Sequence, residues 1–374
     1  MTNMEMQRTQ FFFSGGGTGG HIYPALAIAE ELARRHPKAQ PVFFCSSRAV
    51  DARILARTAY EFFPLPAEGF SSNPIQAIRF GAQFLKSYAF AKQILQAVRR
   101  QAVVMGTGGF VSAPVILAAH SLKIPIYILN VDYVPGKANR LLARFAQNIF
   151  TQFSETADDL PKYKERFTAV GCPLRCSFAA PNPENARRTL GLDANKKILL
   201  VTGASSGSLS INQAMVRLLP KLADFTGRWQ VVHLTGQAHY ETMKAAAASA
   251  AIAYHIVDYF DEMADLYAAS DIIIGRSGAV SVAEYAAAGR AAICLPYPYH
   301  KDKHQHLNAS GLVNAGGAVI VEDIVGDVDT TAAVLLEALR NLMTNDTLRA
   351  QMAAAAGTCA RLDAAAKIAD RLLR

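Results

Sequence analysis

A strand that empties into small residues and restarts as a helix occurs twice in this chain, and that repetition constrains the fold more than any other feature. Phe11-Phe12-Phe13 leads into Gly15-Gly16-Gly17-Thr18-Gly19-Gly20-His21, and residues 22–35 then carry the apolar periodicity of an amphipathic helix. Pro41-Val42-Phe43-Phe44-Cys45 reads as the next strand, and strands joined by a helical crossover run parallel. The pattern recurs at Val103-Val104-Met105, which precedes a second glycine loop, and at residues 124–129. A second series starts at Lys197-Ile198-Leu199-Leu200-Val201, passes Gly203-Ala204-Ser205-Ser206-Gly207-Ser208, and enters a helix near Ile211. Further strands are expected at 229–234, 255–257, 271–274 and 292–295. The expected class is α/β, with two Rossmann-like, doubly wound domains.

A length of 374 residues suits two cores better than one. Pro173 and Pro181-Asn182-Pro183 mark the linker region, so the expected domains are 1–170 and 171–351. The alanine-rich segment 346–374 reads as helical, and its last part, about 352–374, is expected to pack back on the first domain.

Lysine and arginine number 38 against 30 acidic residues, a net charge of +8 that favours anionic partners. Without a lysine-rich run or a Cys/His finger spacing, phosphate-bearing ligands or anionic lipid are preferred to nucleic acid. Five cysteines (Cys45, Cys172, Cys176, Cys294, Cys359) contain no Cys-x-x-Cys pair, which fits a reducing compartment. Residues 1–10 are polar and lack a signal-peptide core. Residues 101–122 carry no Asp, Glu, Lys or Arg, but Gly106, Gly108, Gly109 and Pro114 divide them into strand, loop and helix.

Gly15-x-Gly17-x-x-Gly20 matches the dinucleotide fingerprint in form. The acidic residue expected at the end of the second strand is missing, and Cys45-Ser46-Ser47-Arg48 stands there, with an arginine that suits a 2′-phosphate. A reductase using a phosphorylated nicotinamide is therefore a rival reading, and a plain tight turn is another. A P-loop is excluded because no Gly-Lys-Ser or Gly-Lys-Thr closes the loop. His21, directly after the glycines, is placed to act as a base.

Arg276-Ser277-Gly278-Ala279-Val280-Ser281-Val282-Ala283-Glu284 puts small residues at the start of a helix after a strand. Backbone N–H groups there would hold a diphosphate, and Glu284 lies one turn in, within reach of ribose hydroxyls. Ser281-x-x-Glu284 also fits a capping box. Downstream, His300, His304 and His306 lack the glutamate of a zincin, so no metal is assigned, whereas Gln305 and Asn308 share a helix face suited to sugar hydroxyls. Asp327-x-Asp329 reads as a helix N-cap. Residues 73–100 interleave Ile75, Ile78, Phe84, Leu85, Phe90 and Ile94 with Arg79, Lys86, Lys92, Arg99 and Arg100, which suits either core packing or an anionic membrane surface.

Together these motifs resemble the MurG family, the glucosaminyltransferase of bacterial peptidoglycan synthesis. The matches are Gly16-Gly17-Thr18-Gly19-Gly20-His21 with Pro24-Ala25-Leu26-Ala27, Gly108-Gly109-Phe110-Val111-Ser112, Gly171-Cys172-Pro173-Leu174-Arg175, the Arg276 to Glu284 motif, and the histidine-rich segment ending at Gln305. The resemblance implies a GT-B fold with a cleft between its domains. It also implies transfer of N-acetylglucosamine from UDP-GlcNAc to a muramyl-pentapeptide on a polyprenyl diphosphate, at the cytoplasmic face of the bacterial inner membrane, with no cofactor, metal or nucleic acid. His21 and Glu284 become the catalytic candidates. Ala279, Val280, Ser281, Val282, Ala283 and Glu284 would hold diphosphate and ribose, Phe260 the uracil through its backbone, and Arg175, Ser205, Gln305 and Asn308 the donor. Thr18, Gly19, Gly20, Tyr133 and the Gly108-Gly109-Phe110 loop would line the acceptor side.

The sequence departs from the family in two places. Asn130-Val131-Asp132-Tyr133 replaces His-Glu-Gln-Asn, and Gly203-Ala204-Ser205-Ser206-Gly207-Ser208 replaces Gly-Gly-Ser-x-Gly-Ala. The first leaves open a glycolipid synthase of the same fold, or a relative that binds the donor without transferring it.

Overall fold

The structure is a computed structural model that describes residues 9–66, 74–299 and 302–374, with the backbone alone at Pro74 and Ile75. The polar start of the chain to residue 8, Asn73, the Ile75 side chain, His300 and Lys301 lie outside the described residues. The chain divides into two compact units, one comprising residues up to Cys176 together with Asp363–Arg374, the other Ser177–Leu362. No helix among the described residues is long and apolar enough to cross a membrane.

In the first unit the strands are β1 (Gln10–Gly15), β2 (Gln40–Ser46), β3 (Glu61–Leu65), β4 (Ala102–Gly108), β5 (Ile126–Asn130), β6 (Asn148–Thr151) and β7 (Phe167–Ala169). They form one parallel sheet in the order β3-β2-β1-β4-β5-β6-β7. Aromatic residues fix the register at its centre. Phe12 stacks on Phe44 at 5.7 Å and Phe13 on Phe43 at 5.2 Å, on opposite faces of the sheet. All four are buried to 1% exposure or less, and truncating one such ring costs about 3–5 kcal/mol. The core on one face continues through Val104, Ile116, Ile128 and Ile149.

The second unit contains β8 (Lys197–Thr202), β9 (Trp229–Leu234), β10 (Ala253–Val257), β11 (Ile272–Gly275), β12 (Ala291–Cys294) and β13 (Ala318–Ile320). Its sheet is parallel in the order β10-β9-β8-β11-β12-β13. Trp229, Leu199, Val231, Ile274 and Leu335 lie within its core. Strand order reverses between β1 and β4 in the first sheet and between β8 and β11 in the second. At such a switch point neighbouring crossovers leave on opposite faces, which opens a crevice at the carboxyl ends of the strands.

The alanine-rich C-terminal segment forms two helices. Asp346–Thr358 belongs to the second unit, and Ala364–Leu372 packs on the helix Gly19–Arg35 of the first, where Arg35 pairs with Asp370. Helix Pro74–Ala97 buries Ala91 and Leu95 but exposes Ile78, Leu85 and Phe90, so core packing accounts for only its inner face.

Candidate active site

Both glycine loops of the first unit fall at its switch point, one after β1 and one after β4. Ser112 ties them together: its hydroxyl lies 2.6 Å from the Ser14 carbonyl and 2.9 Å from that of Gly108. Gly108 and Gly109 adopt φ of +107° and +80°, which favour glycine, and a side chain at either would also collide with the neighbouring loop. A Cβ on Gly108 would lie 2.8 Å from the His21 ring, and one on Gly109 would lie 2.5 Å from the Gly16 carbonyl oxygen. The His21 ring is thereby seated against bare backbone.

His21 Nδ1 lies 2.9 Å from the Gly16 carbonyl oxygen. A carbonyl only accepts, so in the neutral ring Nδ1 carries the proton and Nε2 keeps its lone pair. Thr18 is exposed, Gly20 and His21 are half-buried, and Gly19 is buried. Phe110, from the second loop, is 53% exposed. Tyr133 packs on Phe153 at 5.3 Å, and its hydroxyl is held above its ordinary range by burial and by Glu155, Asp158 and Asp159. Asn130, in place of the family's histidine, is spent on the chain itself: it donates to the Asp132 carbonyl and accepts from Asn139. Arg175 pairs with Glu30 of the helix Gly19–Arg35 at 3.1 Å.

The dinucleotide reading fails at Gly17. Its N–H, which a diphosphate would need, donates to both oxygens of the fully buried Asp51 carboxylate, at 2.8 and 3.0 Å. Arg48, expected to suit a 2′-phosphate, donates to the Gly17 carbonyl at 3.1 Å. A carboxylate already holding the loop repels a second anion there. The acid missing from the end of β2 is therefore supplied one turn later by Asp51, but it faces the protein. Asp51 drew no attention in the sequence because 34 residues separate it from Gly17.

At the second unit's switch point two helices begin, and they differ. Leu209–Leu218 is capped by the Ser208 side chain, which also accepts from the Arg276 guanidinium at 2.8 Å. Arg276 is buried, pairs with Asp323 at 2.8 Å, and donates to the Leu295 and Pro296 carbonyls. Ala279–Ala288, in contrast, has Gly278 at its N-cap and no side-chain cap. Its first turn closes when the Val282 N–H bonds the Gly278 carbonyl, so Val280 and Ser281 lie ahead of the intrahelical ladder. Just before it, the Ser277 hydroxyl is buried without a hydrogen-bond partner. An orphan of this kind costs about 1–3 kcal/mol and calls for a function.

Because Gly278 is the cap, Ser281 and Glu284 fall too far into the helix to form a capping box. Glu284 instead receives a hydrogen bond from the Tyr267 hydroxyl. Burial pushes its carboxyl up to about 8, against the opposing pull of that bond. The Ala279 and Val282 side chains are buried, and Ala283 is half-buried. Phe260 is likewise buried. Ser205 is half-buried in the turn after β8. Gln305 accepts from the Tyr297 N–H at 2.8 Å, and Asn308, wholly buried, donates to the Ser277 carbonyl at 3.4 Å. Both brace loops at the switch point rather than standing open to solvent. Asp327 caps its helix by accepting from Thr330, while His304 and His306 pair with Asp302 and Glu322.

A dinucleotide enzyme needs one phosphate-binding switch point. Two doubly wound units in one chain, the first with its glycine loop closed to phosphate and the second with a helix start that no side chain caps, define the GT-B fold class. Residues 11–151 match the glycosyltransferase family 28 N-terminal domain, and residues 198–372 match the glycosyltransferase family 28 C-terminal domain. The chain is 36% identical over 366 residues to the UDP-N-acetylglucosamine–N-acetylmuramyl-(pentapeptide) pyrophosphoryl-undecaprenol N-acetylglucosamine transferase of Geobacter sulfurreducens, covering 97% of this chain and 98% of the relative. It is 37% identical over 321 residues to the enzyme of the same name from Desulforudis audaxviator, covering 83% and 84%. Within family 28 the chain belongs to the MurG family.

The crystal structure of Acinetobacter baumannii MurG superimposes with a TM-score of 0.71 at 26% identity, covering 98% of this chain and 99% of that one. A Neisseria meningitidis UDP-GlcNAc 2-epimerase bound to UDP-GlcNAc shares the fold at a TM-score of 0.68 and 16% identity, covering 98% of this chain and all of the other.

Proposed function

We propose that the protein transfers N-acetylglucosamine from UDP-GlcNAc to the muramyl-pentapeptide carried on a polyprenyl diphosphate, in peptidoglycan synthesis. The observation that carries the donor half is the uncapped start of the helix Ala279–Ala288, with the orphaned Ser277 hydroxyl before it and Glu284 within it. The N–H groups of that first turn and the helix dipole hold the diphosphate. Glu284 accepts from ribose hydroxyls, and the Phe260 backbone meets uracil. Ser205, Gln305 and Arg175 complete donor recognition, with Asn308 holding the Ser277 loop in place.

On the acceptor side, Thr18, Gly19, Gly20, Tyr133 and the Gly108-Gly109-Phe110 loop orient a sugar hydroxyl toward His21. That oxygen forms a bond to the anomeric carbon as the bond from that carbon to the β-phosphate oxygen breaks, inverting the centre. The hydroxyl proton passes to His21 Nε2, and the electron pair leaves with UDP, whose developing charge the helix N-terminus stabilises.

The exposed Ile78, Leu85 and Phe90, with Arg79, Lys86 and Lys92 on the same helix, suit an anionic membrane surface at the cytoplasmic face, where a polyprenyl-linked acceptor resides. Labelled UDP-GlcNAc offered with the lipid-linked muramyl-pentapeptide and, separately, with diacylglycerol tests the acceptor. Label in the muramyl product supports the reading. Label in the glycolipid alone assigns a glycolipid synthase, to which the Asn130 to Tyr133 replacement would then point. Donor binding with neither product assigns a binding-only relative.

A further inference from the structure

A histidine base depends on which ring nitrogen holds the proton, and the ring does not decide this by itself. Only the neutral tautomer protonated at Nδ1 leaves Nε2 free to accept. In this protein the choice is made at one peptide group. The Gly16 carbonyl that meets His21 Nδ1 at 2.9 Å and the Gly17 N–H that donates to Asp51 at 2.8 and 3.0 Å belong to the same peptide plane. A buried carboxylate therefore grips one side of that peptide, and the imidazole grips the other.

We infer that Asp51 is a positioning residue for His21, fixing the ring's orientation and its Nδ1–H tautomer through the Gly16–Gly17 peptide. This inference rests on the reading of His21 as the base, although its primary readout does not require turnover.

Three features support it. First, the carboxylate is itself immobilised: it also accepts from the Ser46 N–H at 2.9 Å and the Ser46 hydroxyl at 2.6 Å, and Asp51 has no solvent exposure. Second, the Gly16 end of the peptide is closely packed. A Cβ on Gly16 would lie 2.2 Å from the Asp51 carboxylate, and one on Gly109 would lie 2.5 Å from the Gly16 carbonyl. Third, an amide whose N–H bonds a negative charge becomes a better acceptor at its carbonyl. Such chains strengthen each bond by roughly 10–30%. The arrangement performs the task of the carboxylate in a Ser-His-Asp triad, with a peptide group inserted between acid and imidazole. Arg48, on the Gly17 carbonyl, braces the next peptide from outside the relay.

The test combines ring tautomer with steady-state kinetics. In protein labelled with 15N-histidine, the His21 signals are identified by their loss in H21A. In the neutral ring the wild type is expected to show a protonated Nδ1 and an unprotonated Nε2. D51N, once shown to fold and to bind UDP as the wild type does, is expected to populate the Nε2–H tautomer. Its kcat should fall about 10- to 100-fold with the donor KM within about twofold, and D51E should restore most of both readouts.

A wild-type His21 protonated at Nε2 overturns the inference. So does D51N that loses turnover while keeping the Nδ1–H tautomer, which would make Asp51 a loop brace only. If D51N does not fold, S46A, which removes one anchor of the carboxylate, should shift the same two readouts partway, and an unchanged tautomer there is equally fatal. Failure of the base reading is distinguishable: H21A would keep its turnover while D51N still shifted the tautomer.

Discussion

The burial of Glu284 makes stability depend on pH. With its carboxyl pushed up to about 8, the unliganded protein holds a proton at neutral pH that the unfolded chain, with its carboxyl at the ordinary 4.5, does not. Its contribution to stability is therefore lost as pH rises from 4.5 toward 8. Ribose hydroxyls donating to it favour the charged form, so UDP binding at about pH 7 should release a proton. Calorimetry in buffers of different ionisation enthalpy measures this directly. E284Q should abolish the release and weaken UDP binding at least about tenfold, while its melting temperature matches the wild type at about pH 5 and exceeds it at about pH 8.5. Equal proton exchange in both proteins would contradict the assignment. Glu284 could be nominated from the sequence because it lies on the helix that follows the small-residue loop. Asp51 was not, because it meets Gly17 only when β1 and β2 pair, a contact between distant residues that no local pattern announces.

At the level of elements, most buried central strands could be read because they are continuous apolar runs next to glycine loops or turns, but β6, four residues beginning with Asn148, is too short to stand out. Of the edge strands, β10 was legible in part, at 255–257, and the other three were not. β3 holds Pro64 and is half exposed, and β7 and β13 are three residues each, too short for any period. The loop after β8 carries a cost that the sequence hinted at through its departure from the family pattern. Ala204 stands there at φ +60°, a left-handed conformation that costs a non-glycine residue about 1–2 kcal/mol. Glycine would remove that strain but add about 0.4–1 kcal/mol of unfolded-chain entropy. A204G should thus stabilise the second unit by roughly 0.5–1 kcal/mol, read as a higher denaturation midpoint with unchanged slope. For the helix Pro74–Ala97, I78D together with L85D should abolish sedimentation with anionic vesicles, leaving the melting temperature within about 2 °C because both side chains are exposed. Loss of fold instead would return these residues to the core.

At the scale of the whole molecule, each unit is a complete doubly wound domain, and the second carries its own acid sensitivity. His233 is fully buried on β9, where its Nε2 donates to the Asn212 side-chain oxygen at 3.0 Å and its Nδ1 accepts from the Tyr254 hydroxyl at 2.8 Å. Burial pushes its pKa down to about 3. Between 6.5 and about 3 the unfolded chain binds a proton that the folded one refuses, so this residue's contribution falls as pH falls through that window. Glu284 acts in the opposite sense over 4.5 to about 8, so the two oppose each other in mildly acidic solution. Urea denaturation of H233Q and the wild type at about pH 7.5 and pH 5 separates them, and the stability gap should narrow at the lower pH. The doubly wound plan and the location of both glycine loops followed from the sequence. The closing of the first loop against phosphate did not, and it is what turns that loop from a cofactor site into the seat of His21. The most direct measurement is transfer of label from UDP-GlcNAc to the lipid-linked muramyl-pentapeptide by the wild type and by H21A. The predicted result is robust transfer by the wild type and a fall in kcat of about 10²- to 10⁴-fold in H21A with UDP affinity retained. Near-normal transfer by H21A, or none by the wild type, would contradict the account.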